Sequence, residues 1–237
     1  MKILNSVISI LKFTYCFIYL AVISLLIGIN PKWELKLRKK ASKVIINLIA
    51  KEIIIEGKID PKANILMGNH TDNFDIVLIE TVYKNEKIIS VAKEEITKIP
   101  VFKYLVTKTG MILANRKDKR AILKMIKEIK EKTEQGYKIS LFPEGTRNKG
   151  DYTKLIEFKK GPKGVVERLN LKVQPFVIIN LPKAFKKHPF RIEKQTIKII
   201  FLDSFYPYDG WYEDMRKKMQ DVLDGEYASL NKHNNTL

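Results

Sequence analysis

The segment Asn69-His70-Thr71-Asp72-Asn73-Phe74-Asp75 follows an apolar run ending in Leu66-Met67-Gly68 and precedes the helical pattern Ile76-Val77-Leu78-Ile79. A histidine and a carboxylate at a strand-to-helix turn have the makings of a base and its orienter. Were both inside one helix, a five-residue separation would turn them about 140° apart, at about 100° per residue, and they could not touch. With His70 in the loop, Asp75 on the first turn and Thr71 or Asp72 capping the helix, the Asp75 carboxylate reaches back to one imidazole nitrogen. The other nitrogen is then free to take a proton. The same residues also fit an ordinary hydrogen-bonded turn, so catalysis needs a second element.

That element is Phe142-Pro143-Glu144-Gly145-Thr146-Arg147, which follows the apolar run Ile139-Ser140-Leu141. Together the two stretches resemble the glycerolipid acyltransferase family, typified by the 1-acyl-sn-glycerol-3-phosphate acyltransferases. Its first signature is Asn-His, four residues, Asp, and its third is Phe-Pro-Glu-Gly-Thr-Arg. Between them, the stretch from Lys93 to Pro100 and then Gly110 to Arg116 are similar to the family's second block. Phe158-Lys159-Lys160-Gly161 and Val173 to Ile178 look like the end of the third block and the fourth.

The resemblance implies transfer of a fatty acyl group from a thioester to the sn-2 hydroxyl of a 1-acyl-sn-glycerol-3-phosphate, giving phosphatidic acid in phospholipid biosynthesis. His70 would be the base and Asp75 would fix its tautomer and stabilise the imidazolium, as in the His-Asp half of a hydrolase triad. The acceptor's phosphate would be met by a glycine that lets backbone N–H groups approach, Gly145, by the Thr146 hydroxyl and by the planar guanidinium of Arg147. Lys93 and Arg116 are further phosphate contacts by resemblance. Glu144, placed in the same phosphate-binding segment, is expected to hold Arg147 or a backbone amide. No cofactor is expected, and acyl carrier protein or coenzyme A thioesters are the expected donors. Two departures stand out. Leu113-Ala114 replaces Phe-Ile, which shrinks an apolar wall, and Asp72 puts a second carboxylate beside His70, able to compete with Asp75 for the imidazole.

The elements that must position these residues begin with an apolar N-terminus. Phe13 to Ile29 carries no charge, and Lys12 separates it from the apolar Ile3 to Leu11. This length is at the short edge of what spans a core of about 30 Å, and it also suits a helix or helix pair inserted in one leaflet. Trp33 and the basic run from Lys32 to Lys43 suit an anionic leaflet surface, at about 1 kcal/mol per basic residue. The expected location is therefore the cell membrane, with the catalytic domain on its cytoplasmic face. Residues 1–50 are read as a membrane-associated helical segment, 51–230 as the catalytic domain and 231–237 as a frayed tail.

From Lys51 the pattern becomes α/β. Short apolar runs at 53–55, 65–67, 88–91, 111–113, 140–142, 176–179 and 197–201 read as strands. A helix runs from an Asp118 N-cap through Ile122, Met125, Ile126 and Ile129 to a stop at Gly136, and a closing helix runs from Trp211 to Leu223. The expected fold is a mixed, largely parallel sheet flanked by helices, like that of the glycerol-3-phosphate acyltransferases, with its chemistry on loops at one edge.

A formal net charge of +18, from 44 basic and 26 acidic residues in 237, calls for anionic partners. Phosphate substrates, a phospholipid surface and an acidic carrier protein qualify. Lysine outnumbers arginine, which favours a broad field over bidentate clamps. A nucleic-acid-binding protein is the alternative from another class, but the chain shows no recognised module and its aromatics fall in apolar runs. Within the same family, glycerol-3-phosphate or another lysophospholipid is an alternative acceptor. Cys16 is the single cysteine and cannot form an internal disulfide. His70, His188 and His233 show no zinc-ligand spacing with it, so no metal is expected.

Overall fold

The computed structural model describes residues 2–98, 103, 106, 109–115, 118–187 and 190–234. Its contacts divide into two compact units interleaved in sequence. The first comprises Met1–Lys51, Ile76–Ser140 and Lys183–Gln195; the second comprises Glu52–Asp75, Leu141–Pro182 and Thr196–Leu237.

The first unit opens with α1, Lys2–Ile29, an unbroken helix of 28 residues. At about 1.5 Å per residue it is roughly 42 Å long, and Ile3–Ile29 is long and apolar enough to cross a membrane. Of the single helix and the helix pair that the sequence allows here, the structure has the single helix, continuous through Lys12. Lysine is a good helix former, and here its stem is half-buried. Ile23 and Ile27 pack on Ala41 of α2, Glu34–Ile49, while Leu4, Leu11, Ile18 and Leu25 are left exposed. Between α1 and α2, Pro31–Trp33 makes a single 3-10 turn capped by the Asn30 side chain.

The basic face of α2 is partly used internally. Arg38 and Lys39 pair with the buried Glu80 of α3, Phe74–Val82, and Lys39 Nζ also donates to the carbonyl oxygens of Glu80 and Tyr83 at the end of that helix. Burial, with Arg38 alongside, pushes Lys39 down to about 8. These two cations therefore serve packing rather than a surface field.

Also in the first unit, β3, Lys87–Lys93, runs parallel to β4, Ile112–Ala114, and to β5, Tyr137–Leu141. Helix α4, Lys119–Glu134, packs on β4. It begins at the Asp118 cap, whose side chain accepts from Arg120 N at 2.8 Å, and its chain turns at Gly136. Both ends agree with the sequence. The hairpin of β7, Phe185–Lys187, and β8, Phe190–Ile192, was not legible, because each strand has three residues and carries no alternation. It docks on α1 through an edge-to-face Phe13–Phe190 pair at 5.7 Å and a hydrogen bond from Ile192 N to Ser9 Oγ at 2.9 Å.

In the second unit the strand order is β1-β9-β6-β2, with β1 spanning Ala50–Glu56, β2 Ile65–Gly68, β6 Val173–Ile179 and β9 Gln195–Phe201. The β2–β6 pair is parallel and the β6–β9 pair antiparallel, so the expected mixed, largely parallel strand arrangement is present. Every residue of β6 is buried, which explains why it reads as one apolar run rather than as an alternation. Helices α5, Lys160–Leu169, and α6, Trp211–Asn234, complete the unit, and α6 packs on β6. The closing helix does not end at Leu223, nor does a tail begin at Asn231. Trp211, Met215, Met219, Leu223 and Tyr227 recur every fourth residue and are all buried, and this face carries the helix on to Asn234. Residues 235–237 lie outside the described residues.

Candidate active site

Strand β2 ends at Gly68, opposite Phe176 in register. Any Cβ there would overlap the Phe176 ring, which is fully buried and packed between Phe142 and Phe201. The next residue, Asn69, is only 2% exposed. Its side chain donates to Ile178 O at 2.9 Å and accepts from Ile178 N at 2.8 Å, continuing the β2–β6 pairing with an amide side chain. The chain therefore leaves the sheet at one fixed point, and His70 is the first residue beyond it. Gly68→Ala is expected to lower stability by about 1–3 kcal/mol through overpacking and to displace His70. Thermal unfolding and turnover should fall together, and an unchanged melting temperature would contradict the close approach.

His70 Nδ1 lies 2.8 Å from Asp75 Oδ2. Asp75 is fully buried at the start of α3 and gathers three more donors: Thr71 N at 2.7 Å, Asp72 N at 2.9 Å and Thr71 Oγ1 at 3.1 Å. The other three contacts bring donors, so the carboxylate oxygens act as acceptors there and the imidazole proton is assigned to Nδ1. Nε2 has no hydrogen-bond partner among the described residues. This is the loop-to-first-turn geometry expected from the five-residue spacing. Asp72 does not compete for the ring. Its Oδ1 accepts from Phe74 N at 3.1 Å and caps α3. Burial raises the Asp72 carboxyl, a backbone hydrogen bond from Phe74 opposes this, the Asp75 charge adds to it and Arg147 nearby lowers it.

Three further contacts hold His70 from other sides. Its ring stacks on Phe142 at 4.1 Å with planes 16° apart, its N–H donates to Glu144 Oε1 at 2.7 Å, and its carbonyl accepts from Asn148 N at 2.7 Å. Phe142 and Glu144 belong to the second motif and Asn148 follows directly after it; the motif turns sharply through a Gly145 N to Phe142 O bond of 2.9 Å and needs φ +65° at Gly145. Glu144 is 1% exposed, and its other oxygen, Oε2, accepts from Ile156 N at 3.2 Å. Of the two expected partners for Glu144, the backbone amides are the ones observed. Burial pushes its carboxyl up to about 7, against the opposing pull of the two amide donors.

Helix α6 supports the loop that returns to Glu144. Gln220 accepts from Leu155 N and donates to Thr153 O, and Arg216 donates to Leu155 O at 3.1 Å. Thr146 and Arg147 are exposed at the far side of the turn. The second unit thus brings together His70, Asp75, Glu144, Gly145, Thr146 and Arg147. Lys93 is exposed at the end of β3 in the first unit, and Arg116 lies outside the described residues. Sequence reasoning did not assign Asn69, Phe142 or Asn148 a role. Their available signal was position: an amide directly after a buried strand, and a ring and an amide at the edges of the second motif.

An imidazole tied to a buried carboxylate at Nδ1 and open at Nε2 can take a proton from a hydroxyl, and an exposed guanidinium at a glycine turn can receive a phosphate. A family model described as Acyltransferase matches residues 52–179, more than half of the chain. A 1-acyl-sn-glycerol-3-phosphate acyltransferase of Helicobacter pylori is 37% identical over 178 residues, covering 74% of each protein. One from Borreliella burgdorferi is 31% identical over 153 residues, covering 62% of this chain and 58% of that protein. The crystal structure of a 1-acyl-sn-glycerophosphate acyltransferase from Thermotoga maritima superposes with a TM-score of 0.76 at 19% identity, over 96% of this chain and 98% of that one. The likeness to that structure confirms the fold, and the family match with the 37% identical relative shows that this chain belongs to the acyltransferase family.

Proposed function

We propose that this protein transfers a fatty acyl group from an acyl thioester to the sn-2 hydroxyl of 1-acyl-sn-glycerol-3-phosphate, forming phosphatidic acid. The observation that carries the mechanism is the 2.8 Å contact between His70 Nδ1 and Asp75, with Nε2 left open; the relatives' names supply the acceptor. His70 Nε2 removes the hydroxyl proton as the oxygen attacks the thioester carbonyl. Asp75 stabilises the resulting imidazolium. The tetrahedral intermediate collapses, the carbon–sulfur bond breaks, and the imidazolium returns its proton to the departing thiolate. Neither a covalent acyl-enzyme nor a metal is used, and the acyl carrier protein or coenzyme A thioester is a substrate rather than a cofactor.

Arg147, with Gly145 and Thr146, is assigned to the acceptor's phosphate, and Glu144 to holding the His70 backbone beneath it. For Lys93 and Arg116 the phosphate role rests on the motif resemblance. The apolar α1 associates with the phospholipid surface, and the active site faces the cytoplasm, in keeping with the basic residues that follow Trp33. Detergent-purified protein incubated with lysophosphatidic acid and either acyl carrier protein or coenzyme A thioesters should form phosphatidic acid, and the better thioester names the donor. Absence of product with both would overturn the acceptor assignment.

Arg147→Ala should raise KM for lysophosphatidic acid on the order of ten- to a hundredfold, the worth of a charge-assisted hydrogen bond, with a smaller change in kcat. Lysine at the same position should restore only part of this, because it lacks the planar fork. Steady-state kinetics with varied acceptor decide it, and a change confined to the thioester KM would move Arg147 to the donor side.

A further inference from the structure

We propose that the cleft between α1 and the β7–β8 hairpin binds the phosphate of an anionic membrane phospholipid. The cleft has a volume of about 210 Å³ and is lined by Asn5, Ile8, Ser9 and Lys12 of α1 and by Arg191, Ile192 and Glu193. That is below the roughly 300–1,000 Å³ of sites for drug-sized ligands, and it suits a headgroup rather than a whole molecule.

The α1 side of the cleft is unusual for so apolar a helix. Lys12 is the only charged residue between Ile3 and Ile29, and with Asn5 and Ser9 it forms one polar stripe at helical spacing. The hairpin is fastened across that stripe. Ser9 Oγ accepts from Ile192 N and donates to Asn5 O at 2.6 Å, so its one O–H is used in closing the cleft wall. The two cations are not used up. Lys12 has no carboxylate partner within ion-pair distance among the described residues. Arg191 reaches Glu193 through Nη1 at 3.4 Å, while its buried Nε has no hydrogen-bond partner among them. Two cations therefore face one carboxylate, and a buried N–H donor points at nothing, where leaving it unpaired is costly.

The surroundings select the source of the anion. Leu4, Ile8, Leu11 and Tyr15 form an exposed apolar ridge along α1 beside the polar stripe. A ligand whose phosphate enters the cleft can lay an acyl chain on that ridge, which inorganic phosphate cannot do. A phosphodiester lipid of net negative charge meets both features.

The test uses the full chain in detergent, with native mass spectrometry of added dioleoylphosphatidylglycerol, dioleoylphosphatidylcholine or inorganic phosphate. The wild type should retain one phosphatidylglycerol. Lys12→Gln and Arg191→Gln should each raise the half-saturating concentration on the order of tenfold, and Lys12→Arg should keep wild-type binding. Equal phosphatidylglycerol retention by wild type and the double variant would overturn the site. Equal retention of phosphatidylcholine would overturn the anionic requirement, and displacement by millimolar inorganic phosphate would assign the cleft to the free anion and overturn the lipid assignment. Melting temperatures without lipid report whether the double variant folds, and Lys12→Gln, which removes no observed ion pair, keeps the test decisive if it does not. Neither readout depends on transferase turnover.

Discussion

His70→Ala is expected to lower kcat for phosphatidic acid formation on the order of 10²- to 10⁴-fold, the usual worth of a general base, while lysophosphatidic acid still binds. The reason is local. Among the described residues the ring's only hydrogen bond is to Asp75, and its other large contact is the face of Phe142, so alanine removes the base and one stacking partner without unpairing a backbone group. The His70 N–H to Glu144 and the His70 carbonyl to Asn148 do not require the side chain. The fold should therefore survive with a modest loss in melting temperature.

Asp75→Asn is the informative companion. The asparagine would present an N–H2 group to a cluster of donors, the Thr71 and Asp72 amides among them, so it damages the loop as well as the orienter. If His70 and Asp75 act as one unit, the double variant should be scarcely slower than His70→Ala alone, the non-additivity expected of groups that work together. Single-turnover assays with radiolabelled acceptor would measure all three variants. Wild-type turnover in His70→Ala would remove the base assignment altogether.

The parts of this molecule that were legible beforehand are those in which one short stretch carries its own constraint. The His70–Asp75 contact followed from the spacing, because only a loop followed by a first helical turn brings the two side chains together. Asp118 and Gly136 marked both ends of α4 because capping and chain reversal are decided within a few residues. The parts that were not legible depend on partners distant in sequence. Nothing around Asn69 says that its amide would pair with Ile178, more than a hundred residues on. The second motif alone allows Glu144 either Arg147 or a backbone amide, and the folded loop selects His70 N and Ile156 N. Helix α6 outruns Leu223 because its fourth-residue recurrence of buried side chains continues to Tyr227, and that burial depends on the distant strand β6 it packs against. Lys12 lies on the helix face that the β7–β8 pair, distant in sequence, packs against.

Glu144→Gln should change how stability depends on pH as well as how fast the enzyme works. Burial holds the folded-state carboxyl at about 7, above its ordinary value of 4.5. Between those values the folded chain keeps a proton that the unfolded chain has released, so wild-type stability is full below about 4.5 and is lost as pH rises through about 7. A shift of this size corresponds to roughly 3 kcal/mol over the whole window, at about 1.4 kcal/mol per unit. Glutamine does not titrate, so the difference in melting temperature, wild type minus variant, should shrink steadily from pH 5 to pH 7.5. Lys39, lowered to about 8, titrates above this window and is common to both proteins, so it cancels. The ionised carboxylate has the opposite merit for catalysis. Both of its oxygens accept, one from His70 N and one from Ile156 N, whereas glutamine offers one oxygen and sets an N–H2 group against the second amide. Leaving that buried amide unpaired costs about 1–3 kcal/mol, and the strain falls on the residue that positions the base. Turnover of the variant should drop on the order of tenfold or more, since small misplacements of a reacting group are expensive, with little change in the acceptor KM. Melting curves at several pH values and the kcat–KM split are the two measurements. A pH-independent melting difference would show that the carboxyl ionises normally, and an unchanged kcat would show that its hold on the His70 backbone is not what keeps the base in place.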